Sequence, residues 1–515
     1  MNKKFLRNSL TKKGLDDFFW PVRREFVEKV NHRLMVDFTK LSIESEELHA
    51  TLPIMQKWLI PEVLKIIEAI KLRPFIKKKN IFISIEHYKI LKKILDYKLS
   101  SYVPNFLLNF SNVPKNIKIP FFIKMFIRTI ENNSVNQLVN LDRNYDYFLE
   151  PNTLTLENAS LRSKGLVYIN VQKIISRETN RTNHISLSSV MLKKIIDVII
   201  TNMCKELRLS SENIDSQIVS YLKNLIISFF KITMKNVLSV DQEKVKRNVW
   251  VGSSGASYFM KVICHTLRRN NKKIIAHSHG SGNAIVNLSH TLHALELNTC
   301  DEFFTEKEEN LDDLRSEINE NYLYGMNKPQ IKSVRKRNDQ FKTYFHTKKI
   351  KRIMYIATAY KSDRLRFVPI DSDATYIDFQ LRLFAFLKKQ KLEVIFKPHP
   401  EGSLKFHEEL AKFMNIKTLI GIFENIKIDV DAYVIDYCCT SLLVPLLKKN
   451  KPIYFVNFSL PKLRLSAEKL LKKRAYFINS NLNLSNRIMV DWDNFSKKLK
   501  IKEHQFSDEF EKTFY

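Results

Sequence analysis

Residues 392–402, Leu-Glu-Val-Ile-Phe-Lys-Pro-His-Pro-Glu-Gly, constrain the fold more than any other stretch of the chain. The first half is a short apolar run with β-branched and aromatic residues, which predicts a buried strand over 393–396. Pro398 and Pro400 then end it, because neither can donate to a sheet ladder. His399 is fixed between two restricted φ angles, just past the carboxyl end of that strand. In open α/β sheets this edge is where ligands bind. Lys397, His399 and Glu401 place three polar groups there within five residues. A turn that happens to contain a histidine is the plain alternative.

At 515 residues the chain exceeds one ordinary core, so two domains are expected, with three as the alternative. Apolar residues make up 44%, glycines number nine, and no long low-complexity tract occurs, which excludes disordered and fibrous classes. The net charge is +31, from 85 Lys and Arg against 54 Asp and Glu. Such a surplus suits a nucleic acid, an anionic membrane face or a phosphate-bearing substrate. The compositional alternative is a Lys-, Ile-, Asn- and Phe-rich chain whose charge is solvated surface. Cys204, Cys264, Cys300, Cys438 and Cys439 form no Cys-x-x-Cys and are odd in number. They imply neither a disulfide framework nor a zinc site, and so a reducing compartment. The charged start Met-Asn-Lys-Lys lacks a following apolar region, and no run approaches the ~18 apolar residues that span a bilayer. A cytoplasmic location is expected, with basic and aromatic surface able to lean on the inner leaflet of a membrane.

Residues 1–240 read as a helix-rich N-terminal region and acceptor-side scaffold. Val63, Ile66, Ile67 and Ile70 share a helix face, with Glu62, Lys65, Glu68 and Lys71 between them. Pro53, Pro61, Pro74, Pro104, Pro114 and Pro120 are expected to cut this region into short pieces. The lysines at 77–79 and 92–93 read as wet helix faces. Helices are predicted over 191–207 and 218–236, and a strand over 165–170. From residue 248 a βαβ unit follows: strand 249–251, loop 252–257, helix 258–269 and strand 273–276. The loop could offer backbone N–H groups to a phosphate, but Gly-x-Gly-x-x-Gly is absent and a plain tight turn is the alternative. The second strand runs into His277-Ser278-His279-Gly280-Ser281-Gly282. Glycines let the backbone approach a ligand, and His279 is a candidate general base. His277 reads as structural, and a metal pair lacks an acidic or cysteine partner. His290 and His293 read as structural on the following helix.

The acidic run 301–320 and the basic run 328–352 are read as the interdomain linker. On this division 241–340 completes the N-terminal Rossmann-like domain and 341–500 forms the C-terminal, nucleotide-donor-binding one. In the latter, strands are predicted over 352–357, 393–396, 416–420 and 451–456, helices over 376–388 and 407–413, and a strand, turn and helix in that order across 432–447. Residues 461–515 are expected to be mostly helical and charged. Thr440 and Ser441 fall at the helix start within 432–447, where hydroxyls cap free N–H groups and a phosphate is also well received. Of two Asp-x-Asp triplets, Asp371-Ser372-Asp373 reads as a helix cap and Asp429-Val430-Asp431 as the approach to a strand.

Three elements now stand in order: a His-Gly turn, a Lys-Pro-His-Pro turn, and an Asp-Tyr-x-x-Thr-Ser turn leading into a helix. In that order they resemble bacterial surface-polysaccharide glycosyltransferases of the GT-B architecture. The nearest are CDP-glycerol glycerophosphotransferases of teichoic acid synthesis, polysialyltransferases and capsular Kdo transferases. The first of these carries motifs of the Trp-His-Gly, Arg-Pro-His-Pro and Asp-Tyr-Ser-Ser types. The counterparts are Ser278-His279-Gly280, Lys397-Pro398-His399-Pro400 and residues 436–441. The tryptophan is missing, and Cys438-Cys439 occupies the usual serine pair. The resemblance covers about residues 248–460, less than half the chain.

This resemblance implies an α/β, GT-B-like fold: two Rossmann-like domains facing a cleft, with extra N-terminal helices. It also implies metal-independent transfer of a nucleotide-activated sugar or polyol phosphate, CMP- or CDP-linked, with no separate cofactor. The acceptor would be an anionic glycan or a lipid-linked one. His399, Lys397 and Glu401 would meet the donor phosphate, and Thr440, Ser441 and their helix start would share its charge. Gly280 and Ser281 would line the donor, and His279 would serve as base. In the sialic acid and Kdo transferases the base is instead acidic. Rival readings are a sugar-nucleotide 2-epimerase, a serine hydrolase, disfavoured by the lack of Gly-x-Ser-x-Gly, and a basic nucleic-acid-binding protein. No zinc-finger or RNA-recognition signature is present, so no specific nucleic acid is expected.

Overall fold

The computed structural model describes residues 22–76, 146–162, 166–169, 171–175, 186–208, 214–255, 257–278, 285–287, 296–308, 311–320, 328–335, 340–359, 372–399, 404–421, 428–438, 442–459 and 462–514, with a few isolated positions such as Trp20. Two parallel sheets organise it. The first is built from β1 (Asp146–Leu149), β2 (Leu166–Tyr168), β3 (Val249–Val251), β4 (Ile274–His277), β5 (Glu302–Lys307) and β6 (Gln330–Arg335), in the order β2-β1-β3-β4-β5-β6. After β7 (Thr343–His346) comes the second: β8 (Arg352–Ile356), β9 (Glu393–Lys397), β10 (Lys417–Thr418), β11 (Ala432–Ile435), β12 (Ile453–Asn457), β13 (Tyr476–Leu482) and β14 (Ile488–Val490). Its order is β10-β9-β8-β11-β12-β13-β14, parallel except for the β13–β14 pair. β15 (His504–Ser507) pairs with β7 alone as an antiparallel ribbon.

The parallel arrangement follows from the strands themselves. β3, β4 and β11 are buried at every position, as continuous apolar runs covered on both faces must be. The βαβ unit forms as its pattern predicts: β3 and β4 pair in parallel around the helix Tyr258–Arg269, capped by Ser257. The first sheet draws strands from both sides of residue 240, since β1 and β2 precede it. The helices Arg24–Ser42, Glu46–Ile76, Ser189–Leu207 and Ser216–Leu238 share its apolar core.

Three expectations are corrected. Pro53, Pro61 and Pro74 do not divide the N-terminal region, for all three lie inside one helix of 31 residues, Glu46–Ile76. A proline inside a helix costs about 3 kcal/mol. Here Leu59, Ile60, Val63, Ile66 and Ile67 are fully buried, and each is worth about 1.5–3 kcal/mol. Packing therefore outweighs the breaks. Pro114 and Pro120, like the lysines at 77–79 and 92–93, lie outside the described residues. Glu62 and Glu68 also turn inward; Glu62 accepts from the Tyr221 hydroxyl at 3.1 Å and pairs with Lys65 at 3.1 Å.

The acidic stretch 301–320 is not linker either. It supplies β5 and the helix Leu311–Glu320, and β6 follows, so the join between the sheets narrows to 336–351. The charge at the start of β5 is neutralised across the sheet, Glu302 pairing with Lys273 at 2.6 Å and Lys332 at 2.9 Å. The last segment is not mostly helical, because β13, β14 and β15 lie within it. The apolar content of its strands is brief: β13 continues from Tyr476-Phe477-Ile478 into Asn-Ser-Asn, β14 has three residues, and β15 is His-Gln-Phe-Ser, so no sustained strand pattern shows. Among the described residues no helix is long and apolar enough to cross a membrane.

Candidate functional site

In the second sheet β9, β8 and β11 are neighbours, and Lys397, Ile356 and Ile435 form one row at their carboxyl ends. The ladder runs one step further, with Ala357 N donating to Lys397 O at 3.0 Å. Pro398-His399, Ala357-Thr358 and Asp436-Tyr437 therefore leave the sheet side by side. The outer two are separated by two strand spacings, about 10 Å. His399 is half-buried and Pro398 buried. Lys397 is only 1% exposed, and its Nζ donates to Pro398 O at 2.9 Å. Its ammonium thus braces the Lys-Pro-His turn from within.

Asp436 is the buried centre of this edge. Its Oδ2 accepts from the Tyr376 hydroxyl at 2.6 Å and from the Tyr355 hydroxyl, and its Oδ1 from Thr358 N at 3.3 Å. The two hydroxyls lie 3.0 Å apart, and Gln380 Nε2 donates to the Tyr355 hydroxyl at 3.2 Å. Burial pushes the Asp436 carboxyl up to about 6, although the hydroxyls and the Thr358 N–H favour its charged form. Burial and the Asp436 charge hold both phenols well above their ordinary range. The sequence marks Asp436 through its motif, but Tyr355 and Tyr376 look like core aromatics on a strand and a helix. Only register brings them to one carboxylate.

At the carboxyl edge of the first sheet, His277 is fully buried between Trp250 and Phe304, with ring centroids 5.7 and 5.4 Å away. Nδ1 lies 2.9 Å from Val251 O and Nε2 lies 3.0 Å from Asn158 Nδ2. A carbonyl and an amide N–H as partners require the neutral ring, proton on Nδ1. Burial lowers its pKa to about 4 against the opposing carbonyl bond. His277 is structural, as its sequence context suggested.

The loop after β3 faces inward too. Asn152 Nδ2 donates to Gly252 O at 2.8 Å and Ser278 O at 2.9 Å, tying the ends of β1, β3 and β4 together. A Cβ on Gly252 would lie 2.6 Å from both Asn152 N and Glu150 O, so only glycine fits this close approach. Ser253 Oγ donates to Glu296 Oε1 at 2.9 Å, and Ser254 Oγ to Glu296 O at 2.8 Å. Beneath them Lys57 Nζ bonds Gly255 O, and the fully buried Lys261 donates to Asn298 Oδ1 at 3.2 Å. The loop's hydroxyls are thus committed to the fold, in keeping with the tight-turn alternative.

One group on this edge escaped the sequence analysis. Ser278 N donates to Phe304 O at 2.8 Å, which sets Glu306, two residues past Phe304, at the carboxyl edge beside the end of β4. Glu306 is half-buried, and its Oε2 is buried without a hydrogen-bond partner among the described residues. Burial raises its carboxyl to about 7; Arg335 opposes the shift and Glu157 adds to it. Arg335 is itself held by Glu157 in a two-point contact of 2.7 and 2.5 Å. The sequence showed Glu306 only as one member of an acidic run. Its place next to the last position of a parallel strand was the missed signal.

His279, Gly280, Ser281, Glu401, Thr440 and Ser441 lie outside the described residues, as do Pro400, Cys439, His290 and His293. Chain from the first sheet does reach the second. Ile285 and Val286, a few residues beyond β4, belong to the buried cluster containing Ile356 and Ile435, the last residues of β8 and β11. Asn287 N donates to Lys462 O at 2.8 Å and Arg464 N to Ile285 O at 3.0 Å. Arg24 Nη1 further donates to Phe458 O, just past β12, at 2.7 Å.

Of the Asp-x-Asp triplets, Ser372 caps the helix Asp373–Lys389 by accepting from Thr375 N, as expected. Asp431 accepts from Lys351 N and Arg352 N, both at 2.9 Å, and pairs with Lys348 at 3.1 Å. Among the described residues no group of three His, Cys, Asp or Glu is placed to hold a metal ion. A cavity of about 650 Å³ opens at the opposite, amino edge of the first sheet, lined by His49, Arg268, Lys273, Asp301 and Glu302. Its charges are paired, Arg268 with Asp301 at 2.9 Å and Lys273 with Glu302 at 2.6 Å.

No protein-family model matches this sequence, and no curated protein matches it either.

Proposed function

We propose that the chain is a glycosyltransferase-like enzyme of the GT-B kind. It would move a nucleotide-activated sugar or polyol phosphate to a surface-glycan or lipid-linked acceptor, without a metal. The observation that carries this reading is the row at the carboxyl edge of the second sheet. There the Lys-Pro-His turn and the Asp436 turn leave on strands separated only by β8. A leaving phosphate held above that row would meet His399 from one side and the residues after Asp436 from the other. Preorganised donors of this kind stabilise charge as it develops on the leaving group.

The first sheet supplies the acceptor side in this reading. Docking of Ile285 and Val286 against Ile356 and Ile435, at the carboxyl ends of β8 and β11, supports a shared cleft. Two groups compete for the acceptor's proton: His279 by sequence, and Glu306 by position and by a carboxyl that titrates near neutrality.

The test is a thermal-shift screen of the full chain against CMP, CDP, UDP and GDP, run beside His399→Ala. One nucleotide should raise the melting temperature of the wild type, and the shift should shrink in the variant, whose own melting temperature is unchanged. Turnover of the matching donor should fall ~10²-fold or more. The reading fails if no nucleotide stabilises the protein, or if His399→Ala binds and turns over like the wild type.

A further inference from the structure

The strand β7 lies outside both large sheets and presents an unusual surface. Phe345 is 65% exposed and Phe341 40%, two large aromatics four residues apart and on one face of the chain. β15 covers one edge of the strand, its Gln505 standing opposite Phe345. The inner face is filled by packing, with Phe506 and His504 buried and Tyr344 opposite Phe506 on the same side. No burial accounts for the rings on the outer side, and exposed clusters of this kind mark contact surfaces.

Basic residues surround the rings. Residues 340–352 contain Lys342, Lys348, Lys349, Lys351 and Arg352 and no acid. Asn450 Nδ2 donates to Phe345 O at 3.3 Å, which brings the exposed Lys448 and Lys449 alongside. Lys348 is spent on Asp431 at 3.1 Å. By contrast Lys342, Lys349 and Lys449 make no ion pair among the described residues. Two acids lie beneath: Asp508 is engaged by Lys342 N at 2.5 Å and by Lys512 at 3.1 Å, and the half-buried Glu511 is offset by Lys448, Arg474 and Lys512. The patch therefore keeps the sign of the whole chain, +31.

We propose that the β7 flank docks on an anionic lipid bilayer, its aromatic rings entering the interface and its lysines meeting headgroup phosphates. Aromatic side chains favour the headgroup level of a bilayer, and basic residues beside an anionic surface each add attraction within a Debye length. A single-stranded nucleic acid would call for a basic groove that tracks its backbone, with rings spaced along it. Here the lysines ring a compact aromatic centre instead. Asn450 and Lys449 precede the amino end of β12, so the patch is remote from the carboxyl edge that carries His399 and Asp436. The inference does not depend on which reaction that edge performs.

The test is co-sedimentation of the full chain with phosphatidylcholine vesicles, with and without phosphatidylglycerol, at low and high salt. Two double variants are compared, Phe341→Ser with Phe345→Ser and Lys342→Glu with Lys449→Glu, each checked for an unchanged melting temperature. The wild type should bind only the anionic vesicles, and high salt should weaken binding. Each variant should lose about tenfold or more in affinity, the charge reversal becoming more salt-insensitive. Failure of the folded wild type to bind anionic vesicles, or binding by both variants as tight as the wild type's, overturns the proposal. So does single-stranded DNA that competes the protein off the vesicles and depends on Phe345 to the same degree.

Discussion

Replacing Asp436 by asparagine isolates the cost of ionising the carboxyl at the centre of the candidate site. The folded protein holds this carboxyl near 6 where the ordinary value is 3.8, because burial penalises its charge more than two hydroxyls and one N–H favour it. For an acid raised in the fold, the native state binds the extra proton. Stability is then greatest below the unfolded value and falls as pH rises from about 4 to about 6. A shift of this size corresponds to about 3 kcal/mol lost across that window. Asp436→Asn keeps the shape and cannot ionise; with its Oδ1 accepting from Thr358 N, its Nδ2 stands where Oδ2 was and donates to a tyrosine hydroxyl. Melting temperatures of the two proteins should be close at pH 4. By pH 7 the variant should be the more stable by on the order of 6–12 °C. His277 works in the opposite sense over an overlapping window. Its pKa is lowered to about 4, so its contribution is full above 6.5 and is lost as pH falls through 4. Only the difference between variant and wild type is therefore diagnostic. Differential scanning calorimetry from pH 4 to 7 is the assay. A difference that stays constant across that range would show that Asp436 does not titrate as its burial requires.

Gly252→Ala should destabilise the first unit by about 1–3 kcal/mol, because the new methyl would stand 2.6 Å from two backbone atoms that have nowhere to go. An unchanged urea midpoint would contradict the close packing of β1 against the loop after β3. Glu306→Gln should cut transfer ~10²–10⁴-fold if the carboxylate is the base. It should also abolish the rise in rate through pH about 7 that the wild type shows, with nucleotide stabilisation retained. A pH–rate profile identical to the wild type's would return the role to His279.

The candidate site was partly legible before any coordinates. The Lys-Pro-His turn was readable because prolines fix their own geometry and an apolar run before them has few alternatives to a buried strand. The helix Tyr258–Arg269 and its flanking strands were readable because two short continuous apolar runs bracket a longer segment with helical spacing. The role of Lys397 was not, since whether an ammonium faces solvent or its own turn depends on what packs above it. The helix Glu46–Ile76 was also missed, as local propensity says that prolines break helices and only burial on most sides reverses that.

By itself, then, the sequence determined the α/β class and those strands that are short continuous apolar runs, such as β3, β4, β8, β9, β11 and β12, because these rest on local patterning and on the stereochemistry of proline and glycine. Tertiary structure alone decided that Tyr355, Tyr376 and Asp436 meet, that Glu306 is half-buried beside Arg335 and Glu157, and that β7 pairs with β15 alone. Those facts depend on register and crossover between segments far apart in sequence. No local preference encodes them; they follow from which strands bury their faces together.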